Sequence, residues 1–285
     1  MLCKIGEVEV WRLLDIHGPF MTPEYLFPNA GPDVSQIIER HVAKGVCKVS
    51  DRLILPIQGF LLITPHHRIL IDSCVGNGKN IPAFPDWHMR SDGRFLAALA
   101  AAGLGVADVD YVLCTHLHSD HVGWNTQLHD GRWVPTFPNA RYLMPAEDES
   151  VPKVRNSDLY AESVLPVIAA GQAEFFQDGH ALGECVRLIP TPGHTPGHVS
   201  VRIASMGKEA IITGDALHTA AQCWHPEWHF RFDVDAEQAV SSRRKLLETA
   251  SETDCIVLGS HFALPSIGRV KALNAAFCWT DLSDI

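Results

Sequence analysis

The chain has 285 residues, enough for one large domain or two small ones, and its 46% hydrophobic and 20% charged residues describe a globular protein with a substantial core. A formal net charge of −10 without any run of clustered Lys and Arg argues against nucleic acid as a partner. The longest nearly apolar stretch, 95–107, is too short to cross a bilayer and contains Gly103 and Gly105, and residues 1–7 lack the apolar centre of a signal peptide, so no membrane association is expected.

In chain order, short apolar runs at 8–14, 53–57, 60–63 and 69–71 read as buried strands. Further runs follow at 111–114, 141–144, 186–189, 200–203, 210–212 and 255–258. Helical periodicity marks 34–44, 94–102, the stretch from 146–148 onward, 157–170 and 236–250. Asp235 is placed as the N-cap of the last helix, with Gln238 completing a capping box. Within that helix Arg243-Arg244-Lys245 reads as a solvated face. Strand pairs come first and strands separated by helices follow, which predicts a mixed sheet arrangement covered by helices. No Ser/Gly-rich linker divides the chain, so a single domain over 1–285 is expected.

Two loop-like segments, 18–32 and 81–89, are rich in proline and aromatic residues. Such loops wall a pocket or an oligomer interface, or else simply cover the core. The first makes a homodimer a reasonable expectation. Eight cysteines are scattered singly, with no Cys-x-x-Cys pair, which fits free thiols in a reducing compartment and predicts a cytoplasmic protein.

The chemistry concentrates in His116-Leu117-His118-Ser119-Asp120-His121, directly after the apolar run ending in Cys114-Thr115. If the chain stays extended to His118, both imidazoles of His116 and His118 point to one side, and Asp120 and His121 fall on the turn beyond. Four nitrogen and oxygen donors in six residues suit a pair of cations about 3.5–4 Å apart, of the kind zinc represents. Two coordination spheres need more donors. Thr191-Pro192-Gly193-His194, Ile212-Thr213-Gly214-Asp215 and Leu258-Gly259-Ser260-His261 each place one just after an apolar run. Alone, each would read as an ordinary turn or cap residue; with the first motif they form a set.

That set resembles the metallo-β-lactamase superfamily over most of the chain. The segment Phe60-Leu61-Leu62-Ile63 with Ile69-Leu70-Ile71-Asp72-Ser73 is similar to the early hairpin of the family. The resemblance implies an α+β fold, a four-layer αβ/βα sandwich with the metal site at one edge of two sheets. It further implies that His116, His118 and His194 hold one metal, Asp120, His121 and His261 the other, and that Asp215 bridges them. His198, the second histidine of Thr-Pro-Gly-His-x-x-Gly-His, would support the site by hydrogen bonding. The ions would be two divalent metals, zinc first, with manganese, iron or cobalt as alternatives.

Within the family, the complete ligand set departs from the metal-dependent β-lactamases, and His118 departs from the flavodiiron pattern. The chain also lacks the nucleases' extra domain, and only 24 residues follow His261, too few for the helical domain of glyoxalase II-like thioesterases. The segments 214–222, 232–235 and 265–268 are similar to the branch of lactonases, arylesterases and methyl parathion hydrolase. Well-known lactonases of that branch carry tyrosine three residues after the bridging Asp, where this chain has His218. His218 is accordingly expected either to donate a hydrogen bond to the developing oxyanion or to line the pocket. The implied reaction is hydrolysis of a lactone or carboxylic ester by a water activated between the metals, with Asp120 holding the hydroxide in place and later helping to return a proton to the leaving group. Phe20, Phe84, Trp87, Trp124 and Trp224 are expected to line an apolar pocket for that small-molecule substrate. The alternatives are phosphotriester hydrolysis by the same metal pair, or an iron-dependent redox or sensor protein on the same scaffold.

Overall fold

The computed structural model describes residues 1–149, 157–177 and 180–282. The chain is α+β and divides into two compact units, Met1–Asp15 with Ile57–Cys185, and Ile16–Pro56 with Val186–Ile285. The chain therefore passes from one unit to the other three times. Among the described residues no helix is long and apolar enough to cross a membrane.

The first unit is built on a sheet in the order Cys3–Ile5, Val8–Pro19, Arg52–Ile63, Arg68–Ile71, Tyr111–Leu113, Arg141–Pro145, Ala173–Phe176. Two of these strands, Val8–Pro19 and Arg52–Ile63, carry the chain across the unit boundary. Alternation buries Val8 and Val10 and, after a one-residue shift of phase, Leu13 and Asp15, whereas Ile69, Leu70 and Ile71 are all buried, as a central strand covered on both faces requires. The runs 53–57 and 60–63 form one continuous strand, because Gly59 lets the backbone pass tightly: a Cβ there would lie 2.3 Å from the carbonyl oxygen of Asp72. The central strands Arg68–Ile71, Tyr111–Leu113 and Arg141–Pro145 run parallel. Parallel neighbours end at the same edge, so the loops that follow them gather there.

The helix Arg94–Ala101 buries Phe95 and Leu99, one turn apart. The helical stretch from 146 is a single tight turn, Ala146–Glu149, and its continuation to 156 lies outside the described residues. The helix expected at 157–170 forms, but with a π-helical turn at Tyr160–Val164. A hairpin, Thr126–His129 with Arg132–Pro135, turns on Asp130 and Gly131, both at positive φ.

In the second unit the sheet runs in the order Val186–Pro190, Val199–Ser205, Lys208–Ile212, Ile256–Leu258, Ile267–Leu273, Ala276–Asp281. The helix Ala236–Thr253 starts at Asp235, whose side chain accepts a hydrogen bond from the backbone N–H of Gln238. Its buried face is Ala239, Ser242, Arg243, Leu246, Leu247 and Ala250. Arg243 therefore corrects the reading of 243–245 as a solvated face: helical spacing puts it between Ala239 and Leu246 on the covered side, and it is fully buried. The aromatic loop 18–32 contributes core as well as surface. Phe27 is buried against Trp228 and Phe230, whereas Tyr25 is exposed and stacks under Arg231.

Candidate metal centre

The first unit contributes His116, His118, Asp120 and His121. The strand Tyr111–Leu113 stops before His116, so the donors sit on a loop and a one-turn helix, Ser119–Val122, rather than on an extended strand. Asp72 stitches this loop down. Its Oδ1 accepts the backbone N–H of Thr115 (2.8 Å), and its Oδ2 accepts the Thr115 hydroxyl (2.9 Å) and the Nδ1–H of His121 (2.9 Å). The Thr115 contact follows from the parallel register, since Ile71 pairs with Leu113 and Asp72 and Thr115 leave adjacent strands at their carboxyl ends.

These bonds determine the tautomers. A carboxylate only accepts, so His121 carries its proton on Nδ1. The Thr115 hydroxyl gives its hydrogen to Asp72, leaving its oxygen to accept from Nδ1 of His116 at 3.1 Å. In each ring the neutral form then presents a lone pair at Nε2. The His116 ring lies 4.6 Å from that of His118 and 4.1 Å from that of His121, and His121 Nε2 is 3.7 Å from Asp120 Oδ2.

The second unit contributes His194, Asp215 and His261. Lys208–Ile212 and Ile256–Leu258 are parallel, and Val186–Pro190 points the same way through its antiparallel neighbour Val199–Ser205. All three donors thus leave the same edge of the sheet. Here too Nδ1 is engaged: His194 donates to Asp233 Oδ1 and His261 to the carbonyl of Pro56, both at 2.9 Å. Their Nε2 atoms lie 3.2 Å and 3.0 Å from the oxygens of Asp215. As neutral rings both would turn a lone pair toward a buried carboxylate, an arrangement that calls for a proton or a metal cation between them. Burial opposes charge on His194, but Asp215 and Asp233 outweigh it and raise its pKa to about 9. A divalent metal fits this donor set.

His198 lies beneath Asp215. Its Nε2 accepts the backbone N–H of Asp215 at 2.8 Å, and its Nδ1–H donates to the carbonyl of Thr191 at 3.0 Å. Gly214 makes this possible, with φ at +53° and a Cβ position 2.7 Å from His198 Nε2. His218 differs from the other rings. Burial lowers its pKa to about 4, so it is neutral, and its Nε2 lies 3.1 Å from Asp215 Oδ2. A carboxylate requires the proton on Nε2, so the single N–H of His218 serves Asp215. The ring stacks on Phe230 at 3.5 Å.

Of the expected pocket residues, Trp124 is buried and stacks on Phe95, and Trp87 is buried with Phe84 against it at 4.6 Å. Phe20 and Phe84 are half-buried, as is Trp224, which stacks on His41 at 4.3 Å. Three residues that touch the donors or their supports were not assigned from the sequence: Asp72, Asp233 and Arg243. Asp72 and Asp233 stand in the segments Ile71-Asp72-Ser73 and Phe232-Asp233-Val234-Asp235, a legible signal; Arg243 has none.

A family model described as the metallo-beta-lactamase superfamily matches residues 55–261. An N-acyl homoserine lactonase of Bacillus cereus is 26% identical over 241 residues, covering 79% of this chain and 88% of that protein. One from a Bacillus species is 29% identical over 224 residues, covering 73% and 81%. Among solved structures, AidC, a dizinc quorum-quenching lactonase in complex with its product, matches in fold with a TM-score of 0.79 at 22% identity, covering 98% of this chain and 96% of that one. The hydrolase AbOPH of the beta-lactamase superfamily matches with a TM-score of 0.81 at 25% identity, with the same coverage.

Proposed function

The chain belongs to the metallo-beta-lactamase superfamily, and from that premise we propose that it is a dinuclear metal-dependent hydrolase of lactones, acting as one catalytic domain. The observation that carries this reading is the shared tautomer: His116, His121, His194 and His261 each place Nδ1 on an oxygen acceptor of the protein. Ligating histidines show that pattern, because the second ring nitrogen must be held while Nε2 binds. We assign His116, His118 and His194 to one ion, Asp120, His121 and His261 to the other, and Asp215 to both. Zinc suits these borderline donors best.

When bound, such a pair supplies a water acidified toward neutrality and a Lewis acid for the developing oxyanion. Asp120 takes the proton of the attacking water on its carboxylate and returns it to the leaving alcohol. Opening of the lactone then consumes one water and yields a carboxylic acid and an alcohol in one molecule. His218 and His198 orient Asp215, one at its carboxylate and one at its backbone N–H. His218 is thereby a positioning residue rather than a donor to substrate. Phe20, Phe84 and Trp224 are our choice for apolar contact with the substrate. N-acyl homoserine lactones head the substrate class, because proteins so named match most of this chain. Eight free cysteines support a reducing, cytoplasmic compartment.

The test is a panel of zinc-loaded protein against N-acyl homoserine lactones, aromatic lactones, nitrophenyl esters and phosphotriesters. The expected result is the highest kcat/KM on a lactone, abolished by chelation and restored by zinc. Full turnover by the chelated protein, or a preference for phosphotriesters, would overturn it.

A further inference from the structure

The second unit hides a positive charge under its donors. Arg243 is fully buried in the middle of the helix Ala236–Thr253. Its Nε–H donates to the carbonyl of Ala216 at 2.8 Å, one residue beyond Asp215. Its Nη1 donates to the carbonyls of Pro226 (3.0 Å) and Trp228. Its Nη2 stands 3.8 Å from Asp233 Oδ2, an ion pair too long to be a hydrogen bond. Asp233 is itself buried, with Oδ1 on His194 and Oδ2 accepting the backbone N–H of Phe230 at 2.7 Å.

Resting on the assignment of His194 and Asp215 to metal, we infer that Arg243 is a positioning residue for the centre, acting on His194 through Asp233 and on Asp215 through the carbonyl of Ala216. Two segments, the turn at 214–216 and the loop at 225–235, the latter through Pro226, Trp228 and Asp233, converge on this one guanidinium. The rigid fork of donors suits that task, and no flexible ammonium or thioether reproduces it. Packing alone does not explain the residue, since a buried charge is costly and an apolar side chain of similar volume fills space more cheaply. Burial does push the guanidinium down to about 10, the cost expected of a charge held in the interior. Phe230 extends the arrangement: it is held by Asp233 and stacks on His218, which reaches Asp215.

The experiment compares wild type with Arg243→Lys, Arg243→Met, Asp233→Asn and the double variant Arg243→Lys/Asp233→Asn. Zinc affinity is read by chelator competition, coordination by the visible spectrum of the cobalt-substituted protein, and stability by urea unfolding of the metal-free chain. Arg243→Lys is expected to keep the fold, lose about tenfold or more in zinc affinity, and shift the cobalt spectrum. Asp233→Asn should do the same, and the double variant should lose less than the product of the two single losses, because one route is shared. If Arg243→Met does not fold, the lysine and asparagine variants still decide the question. Wild-type zinc affinity and an unchanged cobalt spectrum in Arg243→Lys, alongside a less stable metal-free chain, would make Arg243 a packing residue and overturn the inference. Fully multiplicative losses would overturn the route through Asp233. A wild-type chain that takes up no cobalt would instead sink the metal assignment itself, so the two failures are distinguishable.

Discussion

The two units supply donors in opposite ways. In the first, four donors lie within six residues, and two acids pin the loop: Asp72 at Thr115 and His121, and Asp148 at the backbone N–H of Leu117. In the second, three donors are spread from 194 to 261 on three loops, and each has its own support: Asp233 under His194, His198 under Asp215, the Pro56 carbonyl under His261. Local connectivity does the aligning in one case. In the other, sheet register brings loops to one edge, and a buried network then sets the side chains. A contiguous motif tolerates the loss of its main outer support poorly, since Asp72 holds it at two points. A dispersed set distributes the same burden.

Several changes would break or sharpen that contrast. Asp215→Ala should be the most severe, because three imidazole nitrogens lie within 3.2 Å of its carboxylate. Lactone turnover is expected to fall by more than about 1,000-fold, with loss of zinc seen by elemental analysis. Asp72→Asn comes next, at about 10–100-fold in zinc affinity, and should exceed the effect of Asp233→Asn if the contiguous motif depends chiefly on that anchor. Equal losses in chelator competition would erase the distinction. Gly214→Ala forces a side chain into the left-handed region and against His198, so it should cost about 1–3 kcal/mol in urea unfolding.

Lys79, in the first unit, serves as a probe outside the donor network. It lies buried over the Trp133 ring with its Nζ donating to Thr126 Oγ1 at 2.6 Å, and burial pushes its pKa down to about 7. Its ordinary value is 10.5, so unfolding takes up a proton between those limits. Stability from this group is therefore full above about 10.5 and falls as pH drops through 7. Urea unfolding at pH 7.5 and 9.5 should show that slope in wild type and a flatter one in Lys79→Met. The smallest effect, about 1 kcal/mol, is expected for Asp235→Ala at the cap of the long helix.

What the sequence made legible follows the same division. His116 to His121 could be read from spacing because one loop carries all four donors. His194, Asp215 and His261 became persuasive only as a set resembling a family, since a lone His or Asp after a strand has no local signature. Arg243 was misread because its neighbours Arg244 and Lys245 disguise a buried position that only the helical face reveals. The hairpin at Asp130-Gly131 went unassigned although Asp-Gly is a turn signal; its flanking strands are short and half-exposed, without the alternation that marks a buried face. Asp72 stood in plain view, yet its use depends on a φ of +58°, which Asp adopts more readily than most residues but which nothing in the flanking sequence marks.

The threefold crossing of the chain between its units has a consequence for inheritance. Neither unit is one continuous stretch of sequence, so no single exchange between genes could move either as a cassette. Recombination that preserves the donors must carry residues 116–261 together. Change in such an architecture is most easily accommodated by point substitution and by insertion at exposed turns.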